Sequence, residues 1–250
     1  MYIPHYRMNS RKVPILSGKE INDIAEQYII DYSPDVLLHP QALNIEAFLE
    51  GYLGLQLDFQ YLSHDCRYLG MTVFNDTDKV IIYSPEYDEA DYIHADHGTV
   101  IIDPNLLEAH QEHRYRFTLG HEGGHWIFHR AYYGYDPNQL TLFELNEPYI
   151  QCRDTNVNYL RSNTRNWDES RWMEWQADKF SAAILMPETS VKHLLGQRKT
   201  IYSASDVYPS VKAIAQVFNV SEQAAYLRLC DLQMIARPAT DDEYKQLSFF

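Results

Sequence analysis

The chain has 250 residues, 45% of them hydrophobic, enough to bury a substantial core in one large domain or two small ones. Its 35 acidic residues outnumber 21 lysines and arginines, and the formal charge of −14 argues against a nucleic-acid-coating protein, since phosphate binding needs clustered basic side chains. Cys66, Cys152 and Cys230 are too sparse for a disulfide framework and suit a reducing compartment.

Residues 1–16 read as an irregular, mildly basic arm carrying Arg7, Arg11 and Lys12, without the apolar core of a signal peptide. No apolar run reaches the roughly 18 residues of a membrane helix, so the expected location is the cytoplasm. Ser17 precedes Glu20 by three positions, a capping box that opens a helix. Ile21, Ile24, Ala25, Tyr28 and Ile29 share its inner face, and it ends near Tyr32, before Ser33-Pro34. A second helix is expected over 41–52. The alternation of 55–59 predicts a half-buried strand. Residues 69–74 and 79–83 read as two more strands around Asn75–Asp78, a hairpin turn. Residues 84–97 are acidic and polar and read as a solvated loop, in which no regular element would hold His94, Asp96 and His97 as a metal site. Thr99–Ile102 is a short buried strand, and Asn105 can cap a short helix to about His110. Helices follow over 114–129, 169–185 and 188–195, with further helix over about 206–235. Between them, 131–168 is rich in Tyr, Asn and Pro and reads as an insertion over the cleft.

The stretch that organises the chain is Thr118–Arg130, TLGHEGGHWIFHR. In a helix, which turns about 100° per residue, His121 and His125 sit one turn apart on one face and can bind one zinc ion. Glu122 lies beside them, placed to deprotonate a water. Gly123 and Gly124 each cost a helix roughly 1 kcal/mol against Ala. Either the helix is disfavoured there, or something approaches its backbone closely, such as a strand or a substrate. The plain alternative is two histidines that are merely hydrogen-bonded.

Catalytic zinc usually takes three protein ligands, so a third group is needed. His129 lies about 12 Å along the axis from His121, too far to share one ion with the pair. Glu174, in WMEWQADKFSAAILMP (172–187), is the better third ligand. Asp178, four residues on, shares its face and can accept a hydrogen bond from a ligand histidine. The alternative is that both acids face solvent and pair with Arg171 or Lys179.

HEGGHWIFH followed by EWQADKFSAAILMP resembles the ImmA/IrrE family of zinc metallopeptidases, a gluzincin-like group. The order of elements is similar over about 20–235, but the sharp motifs lie in 118–130 and 172–187; Cys152-Arg153 also looks familiar for the group. The resemblance implies one Zn2+ held by His121, His125 and Glu174, with Glu122 as catalytic acid/base. It implies an α+β fold, a zincin-like core whose small mixed β-sheet packs on the H-E-x-x-H helix. It also implies regulatory cleavage of a DNA-binding repressor. The chain then divides into the arm (1–16), a metallopeptidase domain (17–200) in which 131–168 forms a lid, and a helical region (201–250). The long gap between His125 and Glu174 fits the lid.

Val211–Leu232 reads as helix, turn, helix, with Ser221 as a cap. Its second helix offers Arg228 and Gln223 but also Glu222 and Asp231, a poor charge pattern for reading DNA, so packing or substrate docking is preferred. Two functions are weighed: a zinc endopeptidase acting on a cytosolic repressor, and a non-catalytic regulator that binds a repressor or DNA with zinc as a staple. A strand edge in 79–83 or 99–102 could receive the substrate as an added strand.

Overall fold

The computed structural model describes residues 1–134, 149–153, 167–196 and 204–235. Most of the expected lid, 135–148 and 154–166, lies outside the described residues.

Helix α1 (Gly18–Tyr32) starts as its capping box specifies: the Ser17 hydroxyl accepts from Glu20 N–H, and the Glu20 carboxylate accepts from Ser17 N–H at 2.8 Å. Its inner face is Ile21, Ile24, Ala25, Tyr28 and Ile29. The helix expected over 41–52 is shorter and broken. A single turn, α2 (Asp35–Leu38), follows Pro34; then α3 (Ile45–Ala47) runs into a π turn over Phe48–Tyr52. Asn44 sets this later start, because its side chain accepts from Ala47 N–H and caps the helix there.

Among the described residues six strands follow: β1 (Gln56–Phe59), β2 (Tyr68–Val73), β3 (Thr77–Ser84), β4 (Glu89–Ala95), β5 (Thr99–Ile102) and β6 (Tyr149–Arg153). Four of them form a mixed sheet in the order β1-β5-β2-β6, in which β5 is parallel to β1 and β2 is antiparallel to both its neighbours. Strands β3 and β4 form a separate antiparallel hairpin. Two expectations change here. Strands β2 and β3 do not pair, so the expected turn at Asn75–Asp78 is instead a passage over 74–76 from the sheet into β3, anchored where Asn75 Nδ2 donates to the Tyr133 carbonyl at 2.8 Å. The acidic stretch 84–97 holds strand β4, because a ribbon with one face in water tolerates polar residues at nearly every position. Only Val80, Ala95 and the half-buried Ile82 and Ile93 point inward.

Side chains alternate across the main sheet. Met71, Val73 and Ile101 meet the hairpin with Leu62, Val80 and Ala95. Val100 and Ile102 join the larger core on the opposite face, where β2 packs on α4 (Glu112–Tyr133). Before α4 the chain makes two 3-10 turns. Asp103 caps the first, a task expected of Asn105: the Asp103 carboxylate accepts from Asn105 N–H at 3.0 Å.

Helix α5 (Glu169–Leu185) lies along the other flank of α4, with α1 against it. Asp168 caps α5 by accepting from Arg171 N–H. After Pro187 comes α6 (Glu188–Leu194), and then the pair α7 (Ala204–Phe218) and α8 (Glu222–Asp231), with Ser221 accepting from Ala224 N–H at the start of α8. Arg228 of α8 is buried: its Nε donates to the Met186 carbonyl at 2.9 Å and its Nη1 to Asn22 Oδ1 at 2.8 Å. Arg116 of α4 grips the α7–α8 turn, donating to the Asn219 carbonyl at 3.0 Å. In this arrangement Arg228 ties the helix pair to α1 and the end of α5, and it is not available to touch a DNA base. No helix among the described residues is long and apolar enough to cross a membrane.

Candidate metal centre

Helix α4 carries an unusual burden, because His121, Glu122, His125 and His129 are all buried between the sheet and α5. Its glycines explain how α5 comes close enough to share the site. A Cβ at Gly124 would stand 3.0 Å from Ala177 Cα, and one at Gly120 would stand 2.6 Å from Ser181 Oγ. The helix is continuous, and the element that approaches it is a second helix. Neither a strand nor a substrate is what the glycines admit.

This contact places Glu174 opposite the two histidines. His121 Nε2 and His125 Nε2 are 2.9 Å apart. Glu174 Oε2 lies 3.4 Å from the first and Glu174 Oε1 3.5 Å from the second. One ligand atom from each of the three residues falls within 4.8 Å of the others, and no other such group occurs among the described residues. Tetrahedral zinc with bonds near 2.0–2.1 Å sets its ligands about 3.3 Å apart, so the spacing fits one ion. Two imidazoles and a carboxylate also suit other divalent metals. His94, by contrast, is exposed between Asp78 and Asp96, and His97 bonds the Phe74 carbonyl.

The surrounding hydrogen bonds orient each donor. His121 Nδ1 contacts Asp178 Oδ1 at 2.8 Å, so the solvent-facing alternative for the two acids does not describe this structure. His129 is no part of the donor group. It contacts His125 ring to ring, Nδ1 to Nδ1 at 2.9 Å, and its Nε2 meets Gln176 Oε1 at 2.9 Å. Glu122 lies against β2, where Thr72 Oγ1 donates to its Oε2 at 2.6 Å. Its Oε1 is buried with no hydrogen-bond partner among the described residues, an arrangement that suits an oxygen reserved for a moving proton.

Charge follows the same geometry. Burial alone would lower the pKa of His121, but the Asp178 and Glu174 carboxylates outweigh it and raise the pKa well above the usual value. Burial would raise Glu174, yet His125 and His121 draw it well below the carboxylate range. Burial and the neighbouring His125 push His129 far down, so it stays neutral.

Several of these neighbours escaped the sequence. The sequence marks His129 only as a ligand too distant from His121, although its i+4 spacing from His125 already puts the two rings within reach. Gln176 sits inside EWQAD, yet nothing local marks its target. Thr72 carries no motif at all, nor does Gly70, whose missing side chain leaves room for Glu122 Oε1. The expected strand edge at 99–102 is also absent, since β5 is interior to the sheet and β1 and β6 are its edges. Position 79–83 lies in β3, paired on one side with β4.

A family model described as the IrrE N-terminal-like domain, peptidase M78, matches residues 66–230, a span that contains all three donors, Glu122 and Asp178. No curated protein matches the chain in sequence.

Proposed function

Since this chain belongs to the ImmA/IrrE family of metallopeptidases, we propose that it is a zinc-dependent endopeptidase that cuts a specific cytosolic protein, a DNA-binding transcriptional repressor. The observation that carries the catalytic reading is the His121–His125–Glu174 triangle beside a carboxylate with one unengaged oxygen. The family supports a protein substrate, and the repressor is the target class that its resemblance implies.

His121, His125 and Glu174 would hold the metal. A zinc ion bound there would supply Lewis acidity and would bring the pKa of a water toward about 7. Glu122 Oε1 takes the proton of the attacking water and returns it to the leaving amine. Thr72 occupies Oε2, so the carboxylate keeps one orientation through both transfers. Asp178 accepts from His121 Nδ1, which leaves the His121 Nε2 lone pair on the metal side.

The second reading, a non-catalytic regulator with zinc as a staple, is separated from the first by Glu122. Metal analysis of purified wild type should find about one zinc per chain, lost in Glu174→Ala. Glu122→Gln should keep the metal and lose cleavage of the repressor. Cleavage undiminished in Glu122→Gln would sink the enzyme reading, and no metal in wild type supplied with zinc would sink both.

A further inference from the structure

A hydrogen-bond chain runs from His125 away from the metal donors and ends outside the segment that the family model matches. His125 Nδ1 lies 2.9 Å from His129 Nδ1, and His129 Nε2 lies 2.9 Å from Gln176 Oε1. Gln176 Nε2 donates to the Pro14 carbonyl at 2.7 Å. All three side chains are at most 1% exposed, so bulk water does not compete for these bonds.

The chemistry of the far end, with His125 taken as a metal ligand, assigns every proton in the chain. A carbonyl oxygen only accepts, so Gln176 turns its NH2 to Pro14 and its Oε1 to His129. That oxygen also only accepts, so His129 Nε2 donates to it. A lone pair at His125 Nε2 for the metal requires its proton at Nδ1, so His125 Nδ1 donates and His129 Nδ1 accepts. His125 is left with a lone pair at Nε2, the atom that faces His121 Nε2 and Glu174. The other arrangement places a second proton on His129 and turns His125 Nε2 into a donor, which cannot ligate a metal.

The Pro14 carbonyl is itself firmly placed. Asn9 Oδ1 accepts from Arg11 N–H and Val13 N–H at 2.9 Å each, and Ile15 N–H donates to the Arg7 carbonyl at 2.8 Å, closing a tight loop. Val13 is buried, and the Tyr6 hydroxyl donates to the Ile127 carbonyl of α4 at 3.0 Å. The arm is thus built onto the back of the metal helix.

We propose that residues 1–16 complete the metal centre from behind: the Pro14 carbonyl orients Gln176, Gln176 orients His129, and His129 holds His125 in the tautomer that binds metal. The inference rests on the metallopeptidase reading only in taking His125 as a ligand. His129 and Gln176 are positioning residues.

The test is zinc affinity, measured by competition with a chelator, in wild type, His129→Phe, Gln176→Leu, a chain beginning at Ile15, and that shortened chain with Gln176→Leu. Each single change is expected to weaken zinc binding about 10–100-fold. The shortened Gln176→Leu chain should bind no more weakly than Gln176→Leu alone, because both changes break one chain. In metal-free wild type, nitrogen-15 spectra should show His125 protonated at Nδ1, with the Nε2–H form growing in Gln176→Leu. Unchanged affinity in folded His129→Phe or Gln176→Leu overturns the proposal. So does a truncation penalty that persists in full beside Gln176→Leu, or a metal-free His125 protonated at Nε2. If the shortened chain does not fold, the Pro14 carbonyl carbon-13 shift in the full chain decides: it moves in Gln176→Leu if the amide donates to it, and a fixed shift refutes the link. Absence of zinc in wild type would refute the proposed function instead, and the His125 tautomer would still read the relay.

Discussion

Gly70 of β2 and Glu122 of α4 share one volume: a Cβ at position 70 would stand 2.3 Å from Glu122 Oε1 and 2.8 Å from Thr118 Cγ2. The absence of a side chain there lets the carboxylate lie flat on the strand and reach Thr72. Gly70→Ala should therefore displace Glu122 without touching a metal donor. We expect zinc content to be unchanged and kcat to fall by about 100-fold or more, the usual scale for losing a placed acid/base group. Metal analysis beside cleavage of a peptide selected with the wild-type enzyme checks this. A fully active Gly70→Ala would mean that Glu122 needs no such placement.

Gly124→Ala sets two effects against each other. Helix propensity favours Ala by about 1 kcal/mol, but the new methyl would meet the Ala177 backbone at 3.0 Å and 3.2 Å. Overpacking against backbone costs about 1–3 kcal/mol, so a net loss of stability is expected. Because the displaced helix carries Glu174, zinc affinity should fall with it. Thermal unfolding of the metal-free protein and a zinc competition titration measure the two separately.

Protons and metal should compete at His121. Asp178 and Glu174 hold a proton there beyond the ordinary histidine range, despite burial. Zinc must displace that proton, so its affinity should rise with pH and keep rising above about 6.5, where a free imidazole has already lost its proton. Asp178→Asn removes one group that holds the proton. The rise should then begin at lower pH, while affinity at high pH drops about 10–100-fold. Competition titrations across the neutral range test both halves.

Arg228→Met should act on stability alone. The guanidinium is buried, and losing it leaves the Met186 carbonyl and Asn22 Oδ1 without their donor. Each orphaned acceptor costs about 1–3 kcal/mol. We expect a lower Tm and unchanged zinc binding in the folded protein. A Tm equal to wild type would show that the C-terminal pair is held by its apolar contacts instead.

The legible part of this protein is what repeats within one element. A 3.6-residue period puts His121 and His125, and likewise Glu174 and Asp178, on common helix faces from spacing alone. Ser17 with Glu20, and Ser221, mark helix starts because a cap reaches only three residues along the chain. Pairing between elements was much less legible. The sequence placed a hairpin across Asn75–Asp78, yet β2 pairs with β5 and β6, since strand partners are chosen by buried faces far apart in the chain. Strand β4 was hidden because most of its residues meet water.

The sequence by itself therefore determined the chemistry that each helix can offer, since face and spacing are local properties of a helix. Only the tertiary structure decided what those faces meet. It brought α5 against α4 at Gly120 and Gly124, set Glu122 on Gly70 and Thr72, and led His125 through His129 and Gln176 to Pro14. Apart from His125 and His129, one helical turn apart, these contacts join residues about fifty to more than a hundred and sixty positions apart. No short-range pattern encodes them, because they exist only once the core has packed.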